Sequence, residues 1–333
     1  MSYDPPPAAG RPAGWRPRPA PEQPTMFLPK IDVLEPAPRL AQDDDEDTGW
    51  IEPAEDDELE SPPPPKDTAR RVVRSFGEVF ITAGLVILLF VVYEVYWTDL
   101  ISAGKQNQAT SSLDTQWKDQ DTVGGGPQRG THYDLAEGKG FAKLYVPALG
   151  ADYHFTIVEG TTDADLDIGP GHYIGSTLPG QPGDFAVAGH RVGKGAPFND
   201  LDLISSCDAI VVETVTDWFV YRMLPTTDEV GGWAAGKGTQ PQCKGVAPLG
   251  GPYAGLVGQE TVLPSQGDVI APVPHKQDLQ LPAGQQASLM TLTTCTPKFS
   301  ASHRLILHAV LTNQYAKDPK QPDKVPPELK ETD

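Results

Sequence analysis

The sequence predicts an all-β domain held outside a membrane by a single helical anchor. Three observations carry this reading. About eight short β-branched or aromatic runs fill 140–312, separated by Gly, Pro and Asp clusters. A nearly unbroken apolar stretch covers 79–97. Everything before that stretch is proline-rich or acidic.

The chain has 333 residues, enough for one sizeable domain with appendages. Its formal net charge of −19 argues against a nucleic-acid partner, because no basic footprint exists to meet phosphates. Much of the negative charge lies in 43–47 and 56–60. Together with "YDPPPAAGRPAGWRPRPAPEQP" and "ELESPPPPKDTA", these runs make 1–69 a disordered tail that cannot bury enough apolar surface to offset its ordering entropy. The apolar island "TMFLPKIDVL" inside it reads as a chance cluster.

Residues 70–97 combine a basic flank with a membrane-spanning helix. Glu94 lies near the far end, where a carboxylate snorkels toward headgroups, and Tyr93, Tyr96 and Trp97 suit an interfacial belt. Lys66, Arg70, Arg71 and Arg74 precede the span, and Lys105 is the nearest basic residue after it. The positive-inside rule therefore puts the N-terminus in the cytoplasm and everything after residue 97 outside, in a single-pass cell-membrane protein. Residues 98–139, with "TVGGGPQRG" in their middle, read as a flexible tether. The runs from "FAKLYVPAL" to "RLILHAVLT" suggest a closed barrel or sandwich. Residues 313–333 are polar and expected to be disordered.

Three cysteines are too few for a disulfide scaffold and lack zinc-site spacing. Outside the cell two can pair, which leaves one thiol over. Pairing Cys207 with Cys243 would staple a Gly/Pro-rich segment and leave Cys295 free; all three reduced, with Cys295 a buried small hydrophobe, is the other reading. Cysteine counting alone leaves nucleophile and packing residue even. A nucleophilic thiol needs an imidazole to exchange protons and a donor for the oxyanion. Of seven histidines, His190 ranks first, because it ends the strand "DFAVAGHR" after two small residues; His303 and His172 follow. Arg304 opens an apolar run nine residues after Cys295, and a hairpin return would bring its fixed charge to the thiol.

"TLTTC", the spaced Arg304 and the upstream "AGHR" together resemble the sortase signature. The stretch from "FAKLYVPALGADYHFTIVEG" to "DFAVAGHRVGKGAPFNDLDLI", with "DVIAPVP" and "LMTLTTCTPKFSASHRLILHAVL", is similar to actinobacterial class E sortases, over roughly 70–312. The resemblance implies a sortase-type eight-stranded β-barrel and the catalytic trio His190, Cys295 and Arg304, which settles the choice among histidines. It implies a housekeeping-type cysteine transpeptidase without a cofactor. Such an enzyme cleaves an LAXTG- or LPXTG-like sorting signal between Thr and Gly. It then joins the secreted protein, through a thioester, to a peptidoglycan amine of a lipid-linked precursor. Relative to a minimal sortase the segment 226–265 is long, and it is expected to be a surface insertion stapled by a Cys207–Cys243 disulfide. Thr294 reads equally as a substrate-pocket residue or a strand filler. Asp163, Asp165 and Asp167 alternate as calcium-binding loop acids can, but read as solvated acids in a turn, so no metal is expected. The rival readings are a cell-wall cysteine peptidase that only hydrolyses and a non-catalytic membrane-anchored surface domain.

Overall fold

The computed structural model describes residues 68–93, 98–122, 135–318, 320–321 and 323–332. The expected tail over 1–67, Glu94, Tyr96, Trp97 and the Gly-rich part of the tether lie outside the described residues. Helix α1 (Thr68–Val92) is the apolar stretch. Its part Arg70–Val92 has a mean hydropathy of 2.3 and no buried share, so by length and composition it is a candidate membrane span.

The barrel is built from β1 (Gly140–Tyr145), β2 (His154–Glu159), β3 (Gly171–His172), β4 (Gly183–Ala188), β5 (Ala209–Glu213), β6 (Asp217–Met223), β8 (Ser288–Thr296) and β9 (His303–Ala316). They pair in the order β6-β5-β1-β2-β3-β4-β8-β9, and a β6–β9 pairing closes the ring. Closure by eight strands matches the expected barrel and leaves no open sheet edge between β6 and β9. A ninth strand, β7 (Gln259–Val262), flanks it. At 14 residues, β9 is long enough to pair with β7 through Arg304–Leu307 and with β6 from Ala309 onward.

Side chains alternate across each strand, so the apolar positions identify the inner face. Phe185 and Val187 of β4, Met290 and Leu292 of β8, and Leu305, Leu307 and Ala309 of β9 share one buried cluster with Leu144, Ile157 and Tyr221. The intervening residues therefore face outward: Asp184 and Ala188 on β4, Thr291, Thr293 and Cys295 on β8, and Arg304, Ile306 and His308 on β9. This outer face is covered. Val262 of β7 and Val269 of the following segment pack on Ile306. Further along, Trp233, Cys243, Val246, Tyr253, Leu256 and Val273 pack on Leu289.

Two expectations need correction. Residues 98–122 are not flexible tether but a helix, α2 (Thr98–Thr122), packed on β1 and β2. It lacks an amphipathic stripe, and this is why composition missed it. It docks through buried Leu113 and through Gln106, whose side-chain amide donates to the Thr156 and Ile168 carbonyls and accepts from the Thr156 N–H. Residues 313–333 are not a free tail. Strand β9 runs to Ala316, and a 3-10 turn at Pro327–Lys330 lies against the barrel. There Glu331 meets Arg222 in a bidentate pair at 2.7 and 2.8 Å, and buried Glu328 accepts from Asn313 and Tyr315. The segment 226–265 is stapled by the expected Cys207–Cys243 disulfide and packs an apolar cluster with Leu224, Val273 and Leu289, with Trp233 donating its indole N–H to the Val246 carbonyl.

Candidate active site

Cys295 and Arg304 are direct partners across the β8–β9 ladder. Residues paired across an antiparallel ladder point to the same face, so thiol and guanidinium emerge side by side. His190 reaches them from the other flank. Strands β4 and β8 run parallel with Ala188 beside Thr293. The Gly189 N–H continues the ladder by donating to the Thr293 carbonyl at 3.0 Å. Two residues further along each chain stand His190 and Cys295, again on the outer face. The row His190, Cys295, Arg304 and Val262 thus crosses four neighbouring chain segments, since Arg304 pairs with Val262 of β7. The strand alternation puts these groups on the outer face, at the strand ends.

Each group is held in a usable state. Cys295 is the free cysteine, half-buried, while Cys207 and Cys243 form the disulfide. His190 is half-buried, and its Nε2 is buried without a hydrogen-bond partner among the described residues. Burial holds its imidazole below the ordinary histidine range, and the nearby Lys194 charge acts the same way, against an opposing effect of Asp167 and Asp163. On balance these effects favour the neutral imidazole. Arg304 donates through Nη1 to the Ala301 and His303 carbonyls, at 3.1 and 3.2 Å. These bonds anchor the guanidinium to its own hairpin loop and use only one of its three nitrogens.

The other ranked histidines are placed elsewhere. His303 pairs with Thr296, one residue out of step with Cys295, so it points to the opposite face. His172 is a satisfied core histidine: Nδ1 meets Glu159 at 2.7 Å, and Nε2 meets Ser176 at 2.8 Å. Thr294 is buried, and its hydroxyl donates to the Gly189 carbonyl at 2.8 Å. It ties β8 to the chain leading into His190. The small Gly189 serves packing too, because an added Cβ would lie 2.5 Å from the Phe198 ring.

The acidic residues 163, 165 and 167 do not converge. Asp165 closes a capping box with Thr162 at the start of α3 (Asp163–Leu166). Asp167 pairs with Lys194 at 2.6 Å and Lys105 at 3.3 Å, which links α2 to the loop after His190. Sequence reasoning missed Arg191. Its side chain is buried and pairs with Asp202 at 2.8 Å, and its Nε and Nη1 find no partner among the described residues. It also missed a grouping of Glu260, His275 and His308 lower on the same face.

A sortase-domain model matches residues 144–312, just over half of the chain. The chain belongs to the sortase family. Among curated sortases it is 32% identical over 273 residues to SrtE2 of Streptomyces coelicolor, covering 79% of this chain and 90% of that one. It is 31% identical over 260 residues to SrtE1 of the same organism, covering 75% of this chain and 60% of SrtE1's length. Both relatives carry the class E name, in agreement with the resemblance read from the motifs. The SrtF sortase from Corynebacterium diphtheriae superimposes with a TM-score of 0.53 at 42% identity, over 62% of this chain and 99% of that one. The chain therefore carries a sortase transpeptidase domain with the family's closed barrel.

Proposed function

We propose that this sortase is a membrane-anchored cysteine transpeptidase acting on LAXTG- or LPXTG-like sorting signals, with Cys295 as nucleophile, His190 as proton carrier and Arg304 as oxyanion donor. One observation carries the assignment: a single row on the outer face brings a free thiol, a neutral imidazole with an unpartnered nitrogen, and a guanidinium with donors to spare.

The chemistry follows from those states. Cys295 attacks the Thr–Gly carbonyl carbon as His190 takes the thiol proton. The developing oxyanion lies beside Arg304, whose fixed charge needs no proton transfer to act. His190 then returns the proton to the departing glycine amine, leaving an acyl thioester on Cys295. In the second half an amine attacks the thioester, His190 accepts its proton, and the thiol re-forms. The acceptor in this reading is a peptidoglycan precursor amine and the donor a secreted protein. Both are available if α1 spans the membrane with the N-terminus inside and the barrel outside, as the flanking basic residues imply.

Mass spectrometry of the full chain with an LAXTG peptide and a primary amine tests this. The expected result is a thioester adduct on Cys295 and a peptide–amine product, both lost in Cys295→Ala. Release of only the hydrolysed acid at saturating amine would replace transfer by hydrolysis. Absence of both adduct and product in the parent chain would overturn the proposal.

A further inference from the structure

Four residues along β9 from Arg304, about 13 Å at ~3.3 Å per residue, the same outer face carries a second polar constellation. His308 is fully buried. Its Nε2 lies 3.1 Å from Glu260 Oε1 on β7, and the Nε2 of His275 lies 2.6 Å from the same oxygen. The three ligand-type atoms fall within 4.8 Å of one another. They come from three segments: β7, β9 and the loop between β7 and β8. His275 holds a left-handed backbone, φ 64°, unusual for a residue with a Cβ, and its N–H is tied to the Asp268 carbonyl at 3.0 Å.

We propose that Glu260, His275 and His308 form a binding site for a divalent transition cation of the zinc type, which fastens the β7–β8 loop onto the outer face of the barrel. The donor set, two imidazoles and a carboxylate, is one that zinc accepts with a solvent molecule in the fourth position. The solvent side is open, because the His275 and Glu260 side chains are 35% and 22% exposed. In a tetrahedral zinc site the ligand atoms stand roughly 3.3 Å apart, at metal–ligand bonds of about 2.0 Å. The two His–Glu separations, 3.1 and 2.6 Å, would each open by less than about 1 Å to reach that spacing, and no pair of ligand atoms stands more than 4.8 Å apart.

A buried ligand-orienting relay supports the assignment. His308 Nδ1 meets the Thr291 hydroxyl at 2.8 Å, and Thr291 meets Asp184 Oδ1 at 2.9 Å. Metal-bound imidazoles ordinarily donate their second N–H in this way. The Thr291 hydroxyl donates to Asp184 Oδ1, which leaves its oxygen to accept from His308 Nδ1–H and turns the Nε2 lone pair of that tautomer toward Glu260. A lone pair facing a carboxylate calls for a cation between them.

The test uses the full chain in detergent micelles with Cys295→Ala, so that the thiol row cannot bind metal. Chelator-stripped protein is titrated with zinc sulfate by calorimetry, then with cobalt(II) chloride for its visible spectrum. We expect one zinc per chain, a higher melting temperature with one equivalent, and cobalt bands without thiolate charge transfer. His275→Ala and Glu260→Gln should each weaken zinc binding by about 100-fold or more, and Thr291→Val by about 10- to 100-fold. His275 lies in a partly exposed loop, so its variant keeps the test valid if a buried variant fails to fold. No stoichiometric zinc binding, or binding unchanged in both His275→Ala and Glu260→Gln, would overturn the proposal.

Discussion

Two histidines on one face of the barrel are treated in opposite ways. His190 sits at the strand ends with Nε2 unpartnered, beside a free thiol and a half-used guanidinium. His308, lower on the same face, is fully buried with both ring nitrogens engaged. An unsatisfied buried donor or acceptor costs on the order of 1–3 kcal/mol, so a fold keeps one where something else gains. The row at the strand ends is the one proposed above to meet the reacting molecule. The relay below it links Asp184, Thr291, His308, Glu260 and His275 by hydrogen bonds, with Asp184 Oδ2 left unpartnered among the described residues. The difference teaches where substitutions should cost activity and where they should cost stability.

The sharpest separation comes from the reacting row. Cys295→Ala should abolish acyl-enzyme formation while leaving the thermal midpoint nearly unchanged, as read by mass spectrometry and calorimetry. Arg304→Ala should lower kcat by about 10²- to 10³-fold, the usual loss for one oxyanion donor, with a smaller effect on KM. A large loss of stability in either variant would break the distinction.

The covering cluster should behave in the opposite sense. The Cys207–Cys243 disulfide closes a sequence separation of 36 residues. Replacing both cysteines by serine should cost about 3–4 kcal/mol of folding free energy in the chain-entropy picture, with acyl transfer retained below the new midpoint. Chemical denaturation of the full chain, alongside turnover at low temperature, checks both halves.

Asp184 gives a pH-dependent version of the same contrast. Complete burial pushes its carboxyl up to about 8, and the hydrogen bond from Thr291 only partly opposes this. Between about pH 4 and pH 8 the folded chain therefore holds a proton that the unfolded chain has lost, so this group's contribution to stability falls as pH rises, by up to ~1.4 kcal/mol per unit. Asp184→Asn removes that dependence. It should raise the melting temperature more at pH 8 than at pH 4, with little change in turnover. An equal shift at both pH values would show that Asp184 is ionised throughout.

The smallest expected effect is at Lys194. Its charge helps to keep His190 neutral, after burial. Lys194→Ala should therefore move the acid limb of kcat/KM to higher pH, because His190 protonates more readily without the neighbouring cation. Loss of the Asp167 pairing adds to the same direction, since it frees a carboxylate near the imidazole. A limb that stays in place or moves lower would separate Lys194 from the proton carrier.

Much of the grouping of the proposed row was legible because its spacing is local. Cys295 and Arg304 lie on two strands joined by a short hairpin, so nine residues of separation translate into direct pairing. His190 was legible as the polar end of an apolar strand, yet choosing it over His303 rested on family resemblance. Strand register supplies the physical reason, since a one-residue offset sends His303 to the other face. Helix α2 was hidden because polar docking through Gln106 leaves no apolar period to read. The C-terminal segment was hidden because Glu328 and Glu331 look solvated until Asn313, Tyr315 and Arg222 stand opposite them.

By itself the sequence determined the class of fold, the apolar anchor, the odd thiol and the chemical types that could serve it, because these depend on composition and on the two-residue period of strands. Only the tertiary structure put the thiol row on the outer face at the strand ends and tied Thr294 to the Gly189 carbonyl. It alone brought Glu260, His275 and His308, 48 residues apart at the extremes, to a common point. Such long-range convergence depends on barrel closure and loop return, and no local pattern along the chain records either.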